Sequence, residues 1–179
     1  MKLNRIVGIS GIVVAVLIGL FLVVGAVLPK RYDVSRTRTI DAPPDAVWAH
    51  LVDLHAHEAW SPWKARDPSM VFTYGESAAG EGAVYTWTSD NSGAGTYTIV
   101  EAEAPRRMTT RIQFEGMGAS DGYWRLEPAG EGTAVTWGFA GENGGIMGGY
   151  FTLMMDSAVG ADFEDGLARL DAAVTADAK

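Results

Sequence analysis

The side chains with the most obvious capacity for chemistry lie close together: His50, His55 and His57, with Glu58 beside the last. A His-x-His pair holds zinc or iron when a further ligand joins it. The run His57-Glu58-Ala59-Trp60-Ser61, however, carries Ser where the zinc-protease pattern HExxH needs its second His. His50 falls on an expected helix and the other two in the loop after it, so no metal site is assigned and the histidines read as solvated. Two carboxylate pairs come next: Glu101 with Glu103 on one face of a strand, and Glu164 with Asp165. Acid–base work needs a carboxylate in a water-poor site that raises its pKa, and both pairs read as solvated surface. No GxSxG elbow presents a serine nucleophile, and the chain has no cysteine for thiol, disulfide or Cys-ligated metal chemistry. The stretch Gly144-Gly145-Ile146-Met147-Gly148-Gly149 lacks the Lys-Ser/Thr of a phosphate cradle and reads as a flexible loop. No catalytic residue is assigned, no cofactor is implied, and an enzyme is the less favoured expectation.

The elements that must carry these residues begin with a 23-residue run, Ile6 to Leu28, that has no charge and one hydroxyl, Ser10. At ~1.5 Å per residue such a helix is roughly 34 Å long, enough for a ~30 Å hydrocarbon core. A cleaved signal peptide competes, with Val24-Gly25-Ala26 as its site, but the run exceeds the usual ~7–15 residue apolar region and continues past that site. The expected organisation is therefore a basic tail at 1–5, a transmembrane helix at 6–28, a linker at 29–33, a folded domain at 34–175 and a tail at 176–179. The amine, Lys2 and Arg5 on one side nearly balance Lys30, Arg31, Arg36 and Arg38 on the other, a count that slightly favours a cytoplasmic domain. A short basic head before an apolar run resembles a signal-anchor, so the reading taken is a single-pass membrane protein with its domain on the extracytoplasmic side. Gly11, Ala15 and Gly19 recur every four residues and share one helix face, where small residues let a partner helix come close.

The remainder is acidic. Of 179 residues 47% are apolar and 20% charged, and the net charge is −8. Beyond residue 28, 12 basic residues face 22 acidic ones, a balance that repels a phosphate backbone and disfavours nucleic acid. Val34 to Ile40 reads as a strand, and Pro43-Pro44 opens a short helix with Val47, Leu51, Trp48 and Val52 at i, i+4. Six β-like runs follow: Met70–Tyr74, Ala83–Thr88, Gly95–Glu103, Arg107–Phe114, Gly122–Glu127 and Thr133–Ala140, separated by short Gly-, Asn- or Pro-rich turns. Their alternation places large aromatic residues on one side of a sheet. Met155, Val159, Phe163, Leu167, Leu170 and Val174 then form one apolar helical stripe, and the aromatic sheet face is its target.

Strand, short helices, meander and long final helix, together with several local motifs, resemble the START-related superfamily, in particular its polyketide cyclase/dehydrase and lipid-transport group. The motifs are Ile40-Asp41-Ala42-Pro43-Pro44-Asp45-Ala46-Val47-Trp48, Trp60-Ser61-Pro62-Trp63 before Asp67-Pro68, Gly80-x-Gly82, Gly132-Thr133-x-Val135-Thr136-Trp137, and Phe163-Glu164-x-Gly166-Leu167-x-x-Leu170. The resemblance implies an α+β helix-grip fold: a curved antiparallel sheet of about seven strands around the C-terminal helix, preceded here by the membrane helix. It implies an enclosed cavity, for which Trp60, Trp63, Tyr85, Trp87, Tyr97, Phe114, Trp124, Trp137 and Met155 are the candidate lining. Aromatic walls suit a flat hydrophobic ligand, but the same alternation equally describes a filled core. Three roles stay open: a membrane-anchored module binding a hydrophobic small molecule or lipid, a cyclase- or dehydrase-like enzyme using Tyr123 or Arg125, and an accessory subunit docked through its membrane helix.

Overall fold

The computed structural model describes residues 2–116 and 118–177, with side chains from residue 11 onward. The elements in chain order are α1 (Lys2–Val27), β1 (Arg31–Ile40), α2 (Pro44–Val52), α3 (His57–Trp60), α4 (Pro62–Arg66), β2 (Val71–Tyr74), β3 (Val84–Ser89), β4 (Gly93–Glu103), β5 (Arg107–Phe114), β6 (Ala119–Ala129), β7 (Gly132–Glu142) and α5 (Gly145–Asp177). They fall into two compact units, residues 1–32 with 142–156 and residues 33–141 with 157–179.

The larger unit is a seven-stranded sheet in the order β1-β7-β6-β5-β4-β3-β2. From β2 to β7 each strand pairs antiparallel with the next, because short turns leave no length for a crossover. The core forms where α2 and the later turns of α5 cover one sheet face: Val47, Leu51, Phe163, Leu167, Leu170 and Val174 are all buried. Pro43 and Pro44 open α2 without sacrificing a helical hydrogen bond. Ser61 caps α4 by accepting the Lys64 amide at 3.3 Å, with Pro62 in the first turn. This cap turns the proline-interrupted stretch into two short helices that carry Trp60 and Trp63.

The smaller unit joins α1 to the first turns of α5. Phe21 and Tyr150 stack with centroids 4.6 Å apart, and the Tyr150 hydroxyl donates to the Phe21 carbonyl at 2.7 Å. Glycine sets the separation: a Cβ on Gly149 would stand 2.4 Å from that of Leu28, and one on Gly25 2.8 Å from the Tyr150 ring. The Lys30 carbonyl accepts from the Asn143 amide at 2.9 Å and the Thr152 hydroxyl at 3.0 Å. These contacts explain why residues 145–149, expected as a flexible glycine-rich loop, are helical. Packing against α1 outweighs the poor helix propensity of glycine. By contrast, Gly11 and Gly19 of the expected packing trio meet nothing within 4 Å, and Ala15 is exposed.

Helix α1 carries most of the 6–28 span, but among the described residues no helix is long and apolar enough to cross a membrane. The expected transmembrane helix is thus not established by the described side chains, which begin at residue 11. Side chains of the 1–5 tail lie outside them, as do residues 178 and 179 of the C-terminal tail.

Candidate ligand-binding site

Strand alternation brings Tyr85 and Trp87 of β3, Tyr97 of β4, Trp124 of β6 and Trp137 of β7 to the covered face, all buried. Trp124 and Trp137 stack at 4.5 Å, and Trp60 meets both edge-on at 5.6 and 5.9 Å. Trp63 adds an edge to Trp137 at 5.4 Å, and Phe163 closes on the same ring at 4.6 Å. A second group stacks Tyr85 on Tyr97 at 5.1 Å and sets Phe114 edge-on to Trp87 at 5.4 Å. Eight of the nine expected lining residues therefore share one aromatic wall. The ninth, Met155, lies in the smaller unit and is half-buried.

Buried rings with polar edges need hydrogen-bond partners. Trp60 Nε1 donates to the His50 carbonyl at 3.2 Å, and Trp63 Nε1 to Asp162 at 3.0 Å. Asp162 is in turn paired with Arg66. Two atoms break this pattern: Trp124 Nε1 and Thr110 Oγ1 are buried without a partner. Their proximity follows from register. Thr110 stands opposite Gly122, two residues before Trp124 on the same face of β6. A Cβ on Gly122 would lie 2.6 Å from Thr110 Oγ1, so glycine makes room for that hydroxyl. Tyr97, diagonal to Thr110 on β4, presents its hydroxyl to both. Burial raises the Tyr97 pKa to about 12, and Thr110 and Trp124 partly offset the rise. Neither makes a hydrogen bond of proper geometry with it.

The histidines are not uniformly solvated. His57 is buried against Tyr97 and Tyr85, and its Nε2–H donates to the Leu51 carbonyl at 3.0 Å, which fixes the tautomer. Burial lowers its pKa to about 4, against smaller opposing effects of the Leu51 bond and Asp53, so the ring is neutral at pH 7. His55 lies against Tyr74, and His50 pairs with Asp177 at 3.3 Å. Among the described residues no three His, Cys, Asp or Glu side chains could hold a metal ion. Glu103, Glu164 and Asp165 are on the surface in ion pairs with Arg107, Arg36 and Arg169.

Tyr123 and Arg125, the polar candidates for an enzyme, alternate with Trp124 and so leave the aromatic face. Tyr123 donates to Asp33 at 2.6 Å, and Arg125 lies over the Tyr123 ring at 4.7 Å. Arg125 also lines an open surface cleft of about 350 Å³ with Glu103, Arg106, Arg107, Leu126 and Glu127. Asp67, from the Asp67-Pro68 motif, accepts from Ser69, Ser89, Asn91 and Ser92 and ties the β3–β4 turn to the chain after α4. Those bonds hold its pKa well below the usual carboxylate range.

The fold has clear relatives. The family model described as polyketide cyclase / dehydrase and lipid transport matches residues 31–175. The chain belongs to that family. Among solved structures, a Staphylococcus epidermidis protein is 16% identical, with TM-score 0.61, over 84% of this chain and 94% of its own. CV1439 from Chromobacterium violaceum is 18% identical, with TM-score 0.59, over 79% and 96%. CalU16 from Micromonospora echinospora is 21% identical, with TM-score 0.52, over 79% and 81%. At these identities the likeness is one of fold, and it agrees with the helix-grip architecture of this member of the polyketide cyclase/dehydrase family. A search of the curated proteins returns no match.

Proposed function

We propose that this protein is a membrane-anchored START-like domain that holds a hydrophobic small molecule or lipid near the bilayer. The observation that carries the binding half is the aromatic wall gathered on the covered sheet face, Trp124 on Trp137 and Tyr85 on Tyr97. Membership of a cyclase and lipid-transport family supports the same reading. Occupancy requires the stacked rings to part, with the ligand's own apolar surface replacing the ring contacts that are lost.

The anchoring half is supported by the 26-residue α1, about 39 Å long at ~1.5 Å per residue, and by the uncharged sequence from Ile6 to Leu28. Its apolar residues from Ile12 to Leu20 are exposed, which suits an apolar surrounding. The short basic head, Lys2 and Arg5, before the apolar run supports a domain on the extracytoplasmic side. A cyclase-like enzyme is less well supported, since burial moves the pKa of His57 down to about 4 and that of Tyr97 up to about 12, both far from the pH 7 at which proton exchange would have to work.

The cysteine-free chain makes the test simple. Single cysteines at Leu17→Cys and Glu131→Cys, labelled in intact cells with a membrane-impermeant maleimide, should leave the first unlabelled and label the second. Labelling at Leu17 refutes the anchor, and protection at Glu131 until the cells are opened reverses the side. Binding is tested by extracting lipids and small molecules from the purified full-length protein, with Trp87→Ala and Trp137→Ala as controls. A defined molecule lost in both folded variants supports the pocket, whereas a stoichiometric protein partner on a molecule-free domain would favour an accessory subunit.

A further inference from the structure

Between Glu142 and Asp156 the chain carries no charge, and the exposed side chains of that stretch are all apolar: Ile146, Met147, Phe151, Leu153 and Met154. Its polar side chains are bonded within the chain instead. The Tyr150 hydroxyl donates to the Phe21 carbonyl at 2.7 Å, the Thr152 hydroxyl to the Lys30 carbonyl at 3.0 Å, and the Asn143 side-chain amide to Thr152 Oγ1 at 3.2 Å. A helix surface in water has no need of this arrangement, because water satisfies a hydroxyl or an amide. Hydrocarbon requires it, because a polar group there finds its partner in the protein or not at all. The contacts also set a depth. The first turns of α5 cross the last turns of α1, with Gly149 against Leu28, Ile146 against Gly25, and Tyr150 against Phe21. Phe21 lies roughly 10 Å along α1 from Leu28, where the uncharged run ends. Helices that lie in a membrane interface sink their apolar face by about 5–10 Å. Charge returns at one point on both elements: Arg31, after α1, pairs with Glu142, before α5, at 3.5 Å.

From this uncharged, internally bonded segment we infer that residues 145–155, the first three turns of α5, form a second membrane contact beside α1, with Ile146, Met147, Phe151, Leu153 and Met154 covered by lipid acyl chains. This rests on the membrane anchor proposed above and extends it to a segment far away in sequence. Lipid is the occupant because, in that reading, it already surrounds the turns of α1 on which the segment packs. The attachment is then a pair of crossed helices rather than a single tether, and α5 begins in the bilayer. The glycines belong to the same device. A Cβ on Gly149 would stand 2.4 Å from that of Leu28, so a side chain there would push the segment off α1.

The test uses the full-length protein in nanodiscs of phosphatidylcholine and phosphatidylglycerol, with one polarity-sensitive NBD fluorophore per chain. The fluorophore is attached at Phe151→Cys or, separately, at Met154→Cys, both exposed, so that a fold lost in one variant leaves the other to decide. Leu17→Cys and Glu131→Cys carry the same fluorophore as the membrane and water references. Labels at Phe151→Cys and Met154→Cys should emit to the blue of the Glu131→Cys label, lose fluorescence to phosphatidylcholine spin-labelled near its headgroup, and resist quenching by aqueous iodide. Iodide quenching at both, with the Leu17→Cys label protected, would overturn the inference and leave the anchor standing. Blue-shifted emission that spin-labelled lipid does not quench would also overturn it, and would mean that a second copy or another protein covers the face. Iodide quenching of the Leu17→Cys label as well would refute the anchor itself, and the inference would fall with it.

Discussion

Helix α5 puts the same kinds of residue to two different uses. Phe163, Leu167, Leu170 and Val174 are sealed beneath the sheet of the larger unit, each no more than 2% exposed. Earlier on the helix, in the smaller unit, Ile146, Met147, Phe151, Leu153 and Met154 remain 45–62% exposed, alongside the exposed apolar residues of α1. Water tolerates scattered apolar residues but not two adjoining helices of them. The first set is therefore a stability device, and the second is an apolar surface that the chain itself leaves uncovered. Substitution separates the two: what weakens one unit should leave the other almost untouched.

The largest effect belongs to the sealed half. Phe163→Ala removes a ring that packs on Trp137 and Phe139 and should cost about 3–5 kcal/mol in chemical denaturation. Phe151→Ala, on the exposed half, should change the same measurement by less than about 0.5 kcal/mol. A comparable loss at both positions would erase the distinction.

The pH dependence of the larger unit tests His57. Its folded pKa of about 4 lies below the unfolded value of about 6.5, so falling pH protonates the unfolded chain first. The stability is fully present above pH 6.5 and declines as pH falls towards 4, by about 2 kcal/mol between pH 7.5 and 5. His57→Gln should flatten that limb, and a limb of unchanged height would place the titrating group elsewhere. Asp67 acts lower down. Its depressed pKa makes its contribution complete above about pH 4 and lost on further acidification. Asp67→Asn should loosen the β3–β4 turn already at neutral pH, read as faster amide exchange at 89–93, and unchanged exchange would deny it that role.

The smallest effect has the opposite sign. Thr110→Val removes a buried hydroxyl without a partner and should leave stability unchanged or raise it by about 0.5–1 kcal/mol in thermal melts. A loss of more than about 1 kcal/mol would mean that the Tyr97 hydroxyl satisfies it.

How far these features were legible differs by element for physical reasons. The meander and the α5 stripe follow from periodicities of two and 3.6, and they locate Tyr85, Trp87, Tyr97, Trp124 and Trp137 on the buried face. The same alternation, taken strictly, removes Tyr123 and Arg125 from it. Thr110 was not legible, because threonine is at home in strands, and its isolation depends on Gly122 and Tyr97 from two neighbouring strands. His57 was misjudged as solvated. It lies in a proline-interrupted stretch with no period, and only the short helix α3 turns it under Tyr97. The helical course of residues 145–149 depends on contacts with α1 that no local signal announces.

The most direct test of the central claim is native mass spectrometry of the full-length protein extracted in mild detergent, with chemical identification of whatever it releases. The account predicts a stoichiometric hydrophobic small molecule or lipid that is absent from folded Trp87→Ala and Trp137→Ala protein. A protein carrying no such molecule, or one whose bound molecule is indifferent to both substitutions, would contradict it.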